Sequence, residues 1–550
     1  MPGRSQPLGV AERADQTTLP DAMERKGARP RVDPAEITAA TVQLSHPLHD
    51  LTSPPPLALP DQPAQVRTME LRPLTLDQAL ELAEVNSPSL KAAAHQEEQA
   101  KSALRAALSS WYPTVDLSAN GLPEYFKSYT YRNPTSALQQ TDPITELYGR
   151  EWRVRANVQV RWDLINPARV PQIAAARDTY ERARDSYRIA LRDLRLETAT
   201  AYFQLQEADE GVRIGQDSVR ASLVSLRDAR ARYNAGVNTK LEVLEAETQL
   251  ARDRSLLTDR LATQQLTRRN LARLMDLPLD VTPTAATPAA PLGLWQPSLQ
   301  ESIKAAYDFR EELDQLILDV SIANSQANAA LAAVQPVLSF VNTTSTSRTE
   351  GQSNRPSRAE IDMDASTWGV QNTTALTATW RLFDGGRAQA EYRRFKQAAA
   401  ESEQNFAVTR DRIRFEVEQS FVGLRSAIQS IETTSREVLS SGESLRLSQL
   451  RVQAGVSTQR EVVNNQRDLT NAEIRYAQAI REYNTNLAEL RRRTGLDALI
   501  ACPAQGLPAQ KPETEGLNMP IEPTPLYSPC LASAVKGQTE ESAQPVQPLW

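Results

Sequence analysis

The sequence predicts a mainly α protein with a small β part: one unit written twice, in which long coiled-coil helices accompany four short strands. Three observations carry this. They are the placement of the prolines, an internal repeat at a nearly fixed offset, and a hydrophobic period that switches between seven and two.

The chain has 550 residues, with 62 Lys and Arg against 68 Asp and Glu, for a formal charge of −6. That weakly acidic balance lacks the basic field of a nucleic-acid module. Mean hydropathy is −0.48, and no stretch approaches the roughly 18 apolar residues of a membrane-spanning helix. Three His and two Cys leave little for metal or nucleophile chemistry. No Gly-rich phosphate loop, metal-ligand spacing or nucleophile elbow is present. Neither an enzyme nor a bound cofactor or metal is expected. Cys502 and Cys530 lie near the C-terminus, and two cysteines alone do not set a pairing or a redox compartment.

The 35 prolines crowd the two ends. Residues 1–71 are predicted to be a disordered Pro-rich extension and 499–550 a disordered Pro-rich tail. Residues 1–70 show no continuous apolar run, so no export signal is recognisable there. No proline lies between Pro171 and Pro278, or between Pro356 and Pro503. Proline breaks helix interiors, so these gaps permit very long helices. Residues 278–296 read as a Pro-rich linker.

The repeat fixes the organisation. Leu76, Leu90 and Pro113 return as Leu299, Leu313 and Pro336, all three at one common offset. Trp162-Asp-Leu-Ile-Asn-Pro-Ala-Arg169 returns as Trp380-Arg-Leu-Phe-Asp-Gly-Gly-Arg387, at almost the same offset. Ala235-Gly236-Val237 returns as Ala454-Gly455-Val456, again at almost the same offset. The body is therefore a first repeat, 72–277, and a second, 297–498.

Each repeat is expected to open with a helical run, Leu76 to Trp111 in the first. Two alternating segments joined by a polar loop follow. A long helix, Val170 to Tyr233, then leads through a Gly turn into a return helix, Thr239 to Met275. A helix of about 65 residues spans on the order of 100 Å. The two shorter runs laid end to end roughly match it. Val417, Leu424, Ile431, Val438, Leu445 and Val452 are spaced by seven, as are Leu205, Val212, Val219, Leu226 and Tyr233. The return helix carries Val462, Leu469, Tyr476, Tyr483 and Leu490. A sustained period of seven implies a left-handed coiled coil.

Between Trp152 and Leu164 the period is two. Val154, Ala156, Val158, Val160 and Trp162 share one face, and Arg153, Arg155, Asn157, Gln159 and Arg161 the other. Thr114 to Leu122 alternates likewise, as do Leu338 and Phe340, then Leu376, Ala378 and Trp380. Strands of about 9–11 residues with terminal aromatics fit a tilted bilayer crossing; an ordinary soluble sheet has the same pattern. Four strands cannot close a barrel, and lipid does not tolerate open edges. Three chains would supply twelve.

The Leu-Thr-Leu-Asp-Gln-Ala-Leu opening at Leu74, the Tyr-Pro-Thr-Val lead-in at Tyr112, the Trp-x-Leu-Phe-Asp-Gly-Gly-Arg strand exit and the Ala-Gly-Val turns, in this order and duplicated, resemble the TolC family of outer-membrane efflux proteins. The resemblance covers about 72–498. It implies a homotrimeric channel-tunnel, with an α-barrel crossing the periplasm and a 12-stranded transmembrane β-barrel in the outer membrane. It also implies a periplasmic adaptor and an inner-membrane pump or ABC exporter as partners, in tripartite efflux or type I secretion.

The same resemblance places the helix turns at a periplasmic tip. Ala235, Gly236, Val237, Asn238 and Thr239, with Ala454, Gly455, Val456, Ser457 and Thr458, would dock the adaptor. Glu242 and Glu461, just after the turns, would ring the closed pore, with Lys240 and Arg460 as the nearest partners in sequence. A second acidic position, one turn on, is Glu245 in the first repeat but Asn464 in the second. Thr239-x-x-Glu242 and Thr458-x-x-Glu461 equally match helix capping boxes, so capping alone and capping with gating both stand. Arg153, Arg155 and Arg161 would face the barrel lumen, either favouring anions or pairing with acids such as Asp116 and Asp163. A soluble coiled-coil scaffold with Pro-rich interaction tails is the alternative.

Overall fold

The computed structural model describes residues 46–62, 70–132, 145–237, 239–354, 362–496, 499–501, 526–528 and 531. Cys502, Cys530, the turn residue Asn238 and most of both Pro-rich ends lie outside these residues. In chain order the elements are β1 (Glu70–Leu74), α1 (Leu76–Asn86), α2 (Pro88–Leu108), β2 (Thr114–Arg132), β3 (Thr145–Ile165), α3 (Arg169–Asn234) and α4 (Lys240–Leu274). Then come β4 (Val281–Ala285), β5 (Gly293–Trp295), α5 (Leu299–Phe309), α6 (Glu311–Ala332), β6 (Val337–Asn354), β7 (Asp362–Thr379), α7 (Arg387–Gln453), α8 (Gln459–Thr494) and β8 (Leu499–Ala501). The fold is mainly α with a small β part, and the order from α1 to α4 recurs from α5 to α8.

The expected opening run of each repeat is two helices rather than one. Thr75 and Ser298 start α1 and α5 with capping boxes closed by Gln78 and Glu301. Both helices then break after eleven residues. In the first repeat Pro88 forces Ser87 out of the helical region, to φ −51 and ψ 121. In the second, Arg310 takes φ −85 and ψ 117 and buries its guanidinium. The long helices match the proline gaps. Arg169–Asn234 has 66 residues and Arg387–Gln453 has 67.

The chain forms two compact units. One contains Arg182–Ile317, the segment up to Glu97 and the segment from Gln404 onward. Its core has one cluster per repeat. Leu74, Leu82, Tyr202, Phe203, Leu205 and Met275 anchor the first. Val417, Leu424, Ile431, Tyr483, Leu487 and Leu490 anchor the second. Each such side chain, when fully buried, contributes about 1.5–3 kcal/mol. The seven-residue columns are buried or half-buried as expected, except that Tyr233 at the end of one is exposed.

Three segments differ from their expected disorder or linker role. His46–Leu51 forms a 3-10 turn whose Leu48 and Leu51 enter the first cluster. The buried Asn86 clamps it, donating to Leu51 O at 2.7 Å and accepting from Ser53 N at 3.1 Å. Tyr527 and Leu531 enter the second cluster, where Tyr476 Oη donates to Leu526 O at 3.2 Å. Within 278–296, β4 pairs in parallel with β1, and β5 pairs antiparallel with β8. Apolar anchors spaced within Pro-rich sequence dock without any sustained period, so neither composition nor periodicity reveals them.

The other unit contains Glu98–Glu181 and Leu318–Glu403. Its centre is one antiparallel sheet in the order β2-β3-β6-β7. The strands have 19, 21, 18 and 18 residues, well beyond the 9–11 expected. The extra length lies towards the hairpin ends. There Gly121, at φ 64, and Pro123 form a bulge in β2 that interrupts the alternation. The two repeats use one device to fix the sheet. Trp162 Nε1 donates to Trp111 O at 3.0 Å, and Trp380 Nε1 donates to Val334 O at 3.0 Å. Asn166 and Asp384, also equivalent, then receive backbone amides where the long helices start. Ala168 N donates to Asn166 at 3.1 Å and Ala388 N to Asp384 at 2.7 Å. Among the described residues no helix is long and apolar enough to cross a membrane.

Candidate functional site

In the first unit the two helix turns are built alike. Gly236 and Gly455 take φ 75 and 74. Around the first, Val237 N donates to Arg232 O at 3.0 Å and Gly236 N to Tyr233 O at 2.9 Å. Around the second, Val456 N donates to Arg451 O at 3.0 Å and Gly455 N to Val452 O at 3.2 Å. This is the Schellman ending, which needs a left-handed residue and satisfies the last carbonyls. A Cβ at either glycine would meet nothing within 4 Å, so positive φ alone selects glycine. The bond pattern pushes the next side chain outward: Val237 is 74% exposed and Val456 66%. Ala235, Thr239, Ala454 and Thr458 are exposed too, and Ser457 is half-buried.

The expected capping boxes do not form. Thr239 and Thr458 hold extended N-cap geometry, but neither side chain makes the cap hydrogen bond. Glu461 is drawn elsewhere. Its carboxylate accepts from Arg451 Nη1 at 2.8 Å across the turn and from Ser457 Oγ. Arg460 does not pair with Glu461. It reaches the other repeat, where its Nε donates to Glu245 Oε1 at 2.9 Å. Glu242 is half-buried in the first turn of α4, and Lys240 is exposed.

Repeat symmetry therefore sets the turns and is broken at the charges. Arg460 corresponds to Leu241 and Glu245 to Asn464. The Arg460–Glu245 pair thus has no counterpart in the opposite sense. Arg232, the counterpart of Arg451, instead donates to Val452 O at 3.0 Å. Gln459 Nε2 adds a bond to Ser225 Oγ at 2.5 Å. These contacts link the first repeat's turn to the second's. Arg451, Arg232, Gln459 and Ser225 were not singled out from the sequence. The register of an antiparallel helix hairpin brings Arg451 to Glu461, whereas adjacency in sequence pointed to Arg460. Behind the turns, a cleft of about 320 Å³ is lined by Gln249, Gln449, Gln453, Gln459, Asp228 and Arg232 among others.

In the second unit, Arg153, Arg155 and Arg161 share one face of β3 with Gln159 and Asn157. Two are neutralised within their own strand. Arg153 donates to Glu151 from Nε at 2.9 Å and Nη2 at 2.7 Å, and lies 3.9 Å from the Phe126 ring centroid. Arg161 Nε donates to Asp163 at 3.2 Å. Asp116 stands opposite Gln159, and Arg155 between Asn120 and Ser347. The opposite face carries Val115, Leu117, Val158, Val160 and Trp162, together with Leu376 and Trp368. Among the described residues, the outer strands β2 and β7 each have one unpaired edge within the chain.

Among the described residues no cluster of His, Cys, Asp and Glu is arranged to hold a metal. A family model for outer membrane efflux protein matches residues 79–276 and again 303–496. No curated protein matches the chain. Solved structures share its fold. CusC, studied for conformational changes accompanying folding and transmembrane channel formation, is 17% identical, with a TM-score of 0.60 over 76% of this chain and 92% of its own. The outer membrane protein VceC from Vibrio cholerae is 17% identical, with a TM-score of 0.58 over 76% and 96%. The open state of the MtrE outer membrane channel from Neisseria gonorrhoeae is 18% identical, with a TM-score of 0.54 over 76% and 88%.

Proposed function

The chain belongs to the outer membrane efflux protein family, and from that premise we propose that three copies close one channel through the outer membrane and pass substrates along a helical tunnel. The observation that carries this reading is the four-stranded sheet, apolar on one face of β2 and β3 and left with two unpaired edges. Lipid leaves no backbone group unsatisfied, so the β2 edge of each copy must meet the β7 edge of the next. Three sheets of four give twelve strands. The Arg153, Arg155 and Arg161 face then lines the lumen, with two of its cations already neutralised.

The test is the native mass of the protein extracted from purified outer membranes in mild detergent. The expected particle contains three chains of 60.9 kDa each. A monomer or dimer, absent from the membrane fraction, would leave the soluble scaffold instead.

In this reading the two turns form the tip that meets a periplasmic adaptor, and through it an inner-membrane pump or ABC exporter. The exposed Val237 and Val456 support it, because an apolar side chain presented at a tight turn suits a knob-in-groove contact. Glu245, Glu461, Arg460 and Arg451 hold the tip closed, with Glu242 and Lys240 beside them. Changing both valines to Trp is expected to abolish adaptor cross-linking while the trimer persists. Undiminished cross-linking and efflux in that variant would remove the docking assignment.

A further inference from the structure

We propose that Arg381 of one copy pairs with Asp116 of the next, and that this ion pair sets the register between β7 and the neighbouring β2. The pair rests on the barrel reading above, which brings these two edges together. That reading leaves their alignment open.

The chain contains a template for the junction. β3 of the first hairpin pairs with β6 of the second, with Arg161 beside Val341, Trp162 beside Phe340, Asp163 beside Ser339 and Ile165 beside Leu338. Between copies, β7 stands where β3 stands and β2 where β6 stands. The two hairpins also share one register. Thr114 faces Arg161 in the first and Val337 faces Thr379 in the second. Those residues hold equivalent places, one step after Pro113 and Pro336 and one step before Trp162 and Trp380. Carrying the β3–β6 register across therefore sets Ala378 beside Ala119, Thr379 beside Ser118, Trp380 beside Leu117, Arg381 beside Asp116 and Phe383 beside Val115. The transfer reaches as far as Asn120, where the bulge shifts the register of β2.

Each transferred pair matches in kind. Ala378–Ala119 and Trp380–Leu117 fall on one face, and Thr379–Ser118 and Arg381–Asp116 on the other. A slip of one residue would set every side chain against the wrong face. A slip of two keeps the faces but moves Arg381 beside Ser118 or Thr114, leaving both charges without a partner. The ion pair is what excludes that slip, since opposite charges facing across an antiparallel pair attract.

The free edges bear the marks of this missing contact. At the internal junction Ser339 is buried, and its Oγ donates to Asp163 Oδ1 at 2.7 Å. Arg381 and Asp116 hold the equivalent places at the edges, and both are exposed. Among the described residues neither side chain has a hydrogen bond or an ion pair. β3 runs on to Ile165, where β6 pairs with it, whereas β7 stops at Thr379. Beyond that stop Phe383 is 84% exposed, and on the other edge Leu117 is 75% exposed. Phe340, the counterpart of Leu117, is half-buried. The stretch that the template assigns to a neighbour is thus the stretch left open.

The experiment uses the full chain in purified outer membranes, with Cys502→Ser and Cys530→Ser as background and diamide as oxidant. Directly facing positions come close enough for a disulfide, and positions two residues out of register do not. Asp116→Cys/Arg381→Cys is expected to link copies into covalent trimers, whereas Ser118→Cys/Arg381→Cys is not. By native mass after extraction, Arg381→Asp should lose most of the trimer, because two carboxylates then face each other. Asp116→Arg/Arg381→Asp should regain it. A wild-type trimer that links through Ser118 or through neither position, that is indifferent to Arg381→Asp, or that the swap fails to restore would overturn the register and leave the channel standing. A wild-type chain that is monomeric in the extract sinks the barrel reading and this junction with it.

Discussion

Reversing the charge at Arg460 is expected to raise the channel's conductance in planar bilayers several-fold. Arg460→Glu sets a carboxylate against Glu245, turning the attraction that ties the second repeat's turn to the first into repulsion. The pair is exposed, so one copy of it is weak. In the proposed trimer, however, three copies would act on one aperture, so their effects on a closed state would multiply. The reciprocal change, Glu245→Arg together with Arg460→Glu, should restore the low conductance, because the pair re-forms with its ends exchanged. High salt should weaken the wild-type pair in the same direction as the single reversal. Glu461→Gln probes the other contact. It keeps the shape but loses the charge that Arg451 and Ser457 hold, and should lower cation preference. Conductance indifferent to all of these variants would reduce the four residues to surface contacts.

That experiment targets contacts the sequence showed only in part. The duplication was legible because its markers recur in fixed order at a nearly constant offset: Gly236 and Gly455 end both long helices where the repeat puts them, and Leu76 and Leu299 open α1 and α5. The helix period was legible because seven-residue spacing survives point differences. The charge pairing was not, since it depends on the register between helices of different repeats, far apart in the chain. The Thr-x-x-Glu pattern at Thr239 and Thr458 could not distinguish a cap from a tether. The outcome at Glu461 was decided by Arg451, which competes for the same carboxylate. Pro88 announced the break after α1, whereas the break at Arg310 has no local signal. What marks it is a buried ion network, in which Arg310 pairs with Glu312 and Glu416.

That network supports the largest expected stability effect. Arg310→Leu should destabilise the fold by about 3–5 kcal/mol, the usual consequence of removing one partner from a buried charge cluster. The Arg310 side chain is 3% exposed. It donates to Glu312 at 2.8 and 3.2 Å and to Glu416 at 2.6 Å. Arg492 reaches Glu312 at 2.8 Å and Asp193 at 2.7 Å, joining the second repeat's return helix to the first repeat's long helix. Burial alone would raise the Glu312 pKa. The hydrogen bonds and charge of Arg310, with the charge of Arg492, overcome it and hold the carboxyl at about 2, from an ordinary 4.5. A carboxyl depressed in the folded state stabilises it fully above the unfolded value. That contribution, about 3 kcal/mol for a shift of this size, is lost as pH falls from about 4.5 towards 2. In Arg310→Leu, Glu312 keeps only Arg492. The acid limb of a trimer-dissociation curve should then move to higher pH, and Glu312→Gln added to it should flatten that limb. An Arg310→Leu curve superimposing on wild type from pH 2 to 6 would mean that the helix break is held by packing of Ala306, Leu313 and Ile413, and that the ions merely fill it.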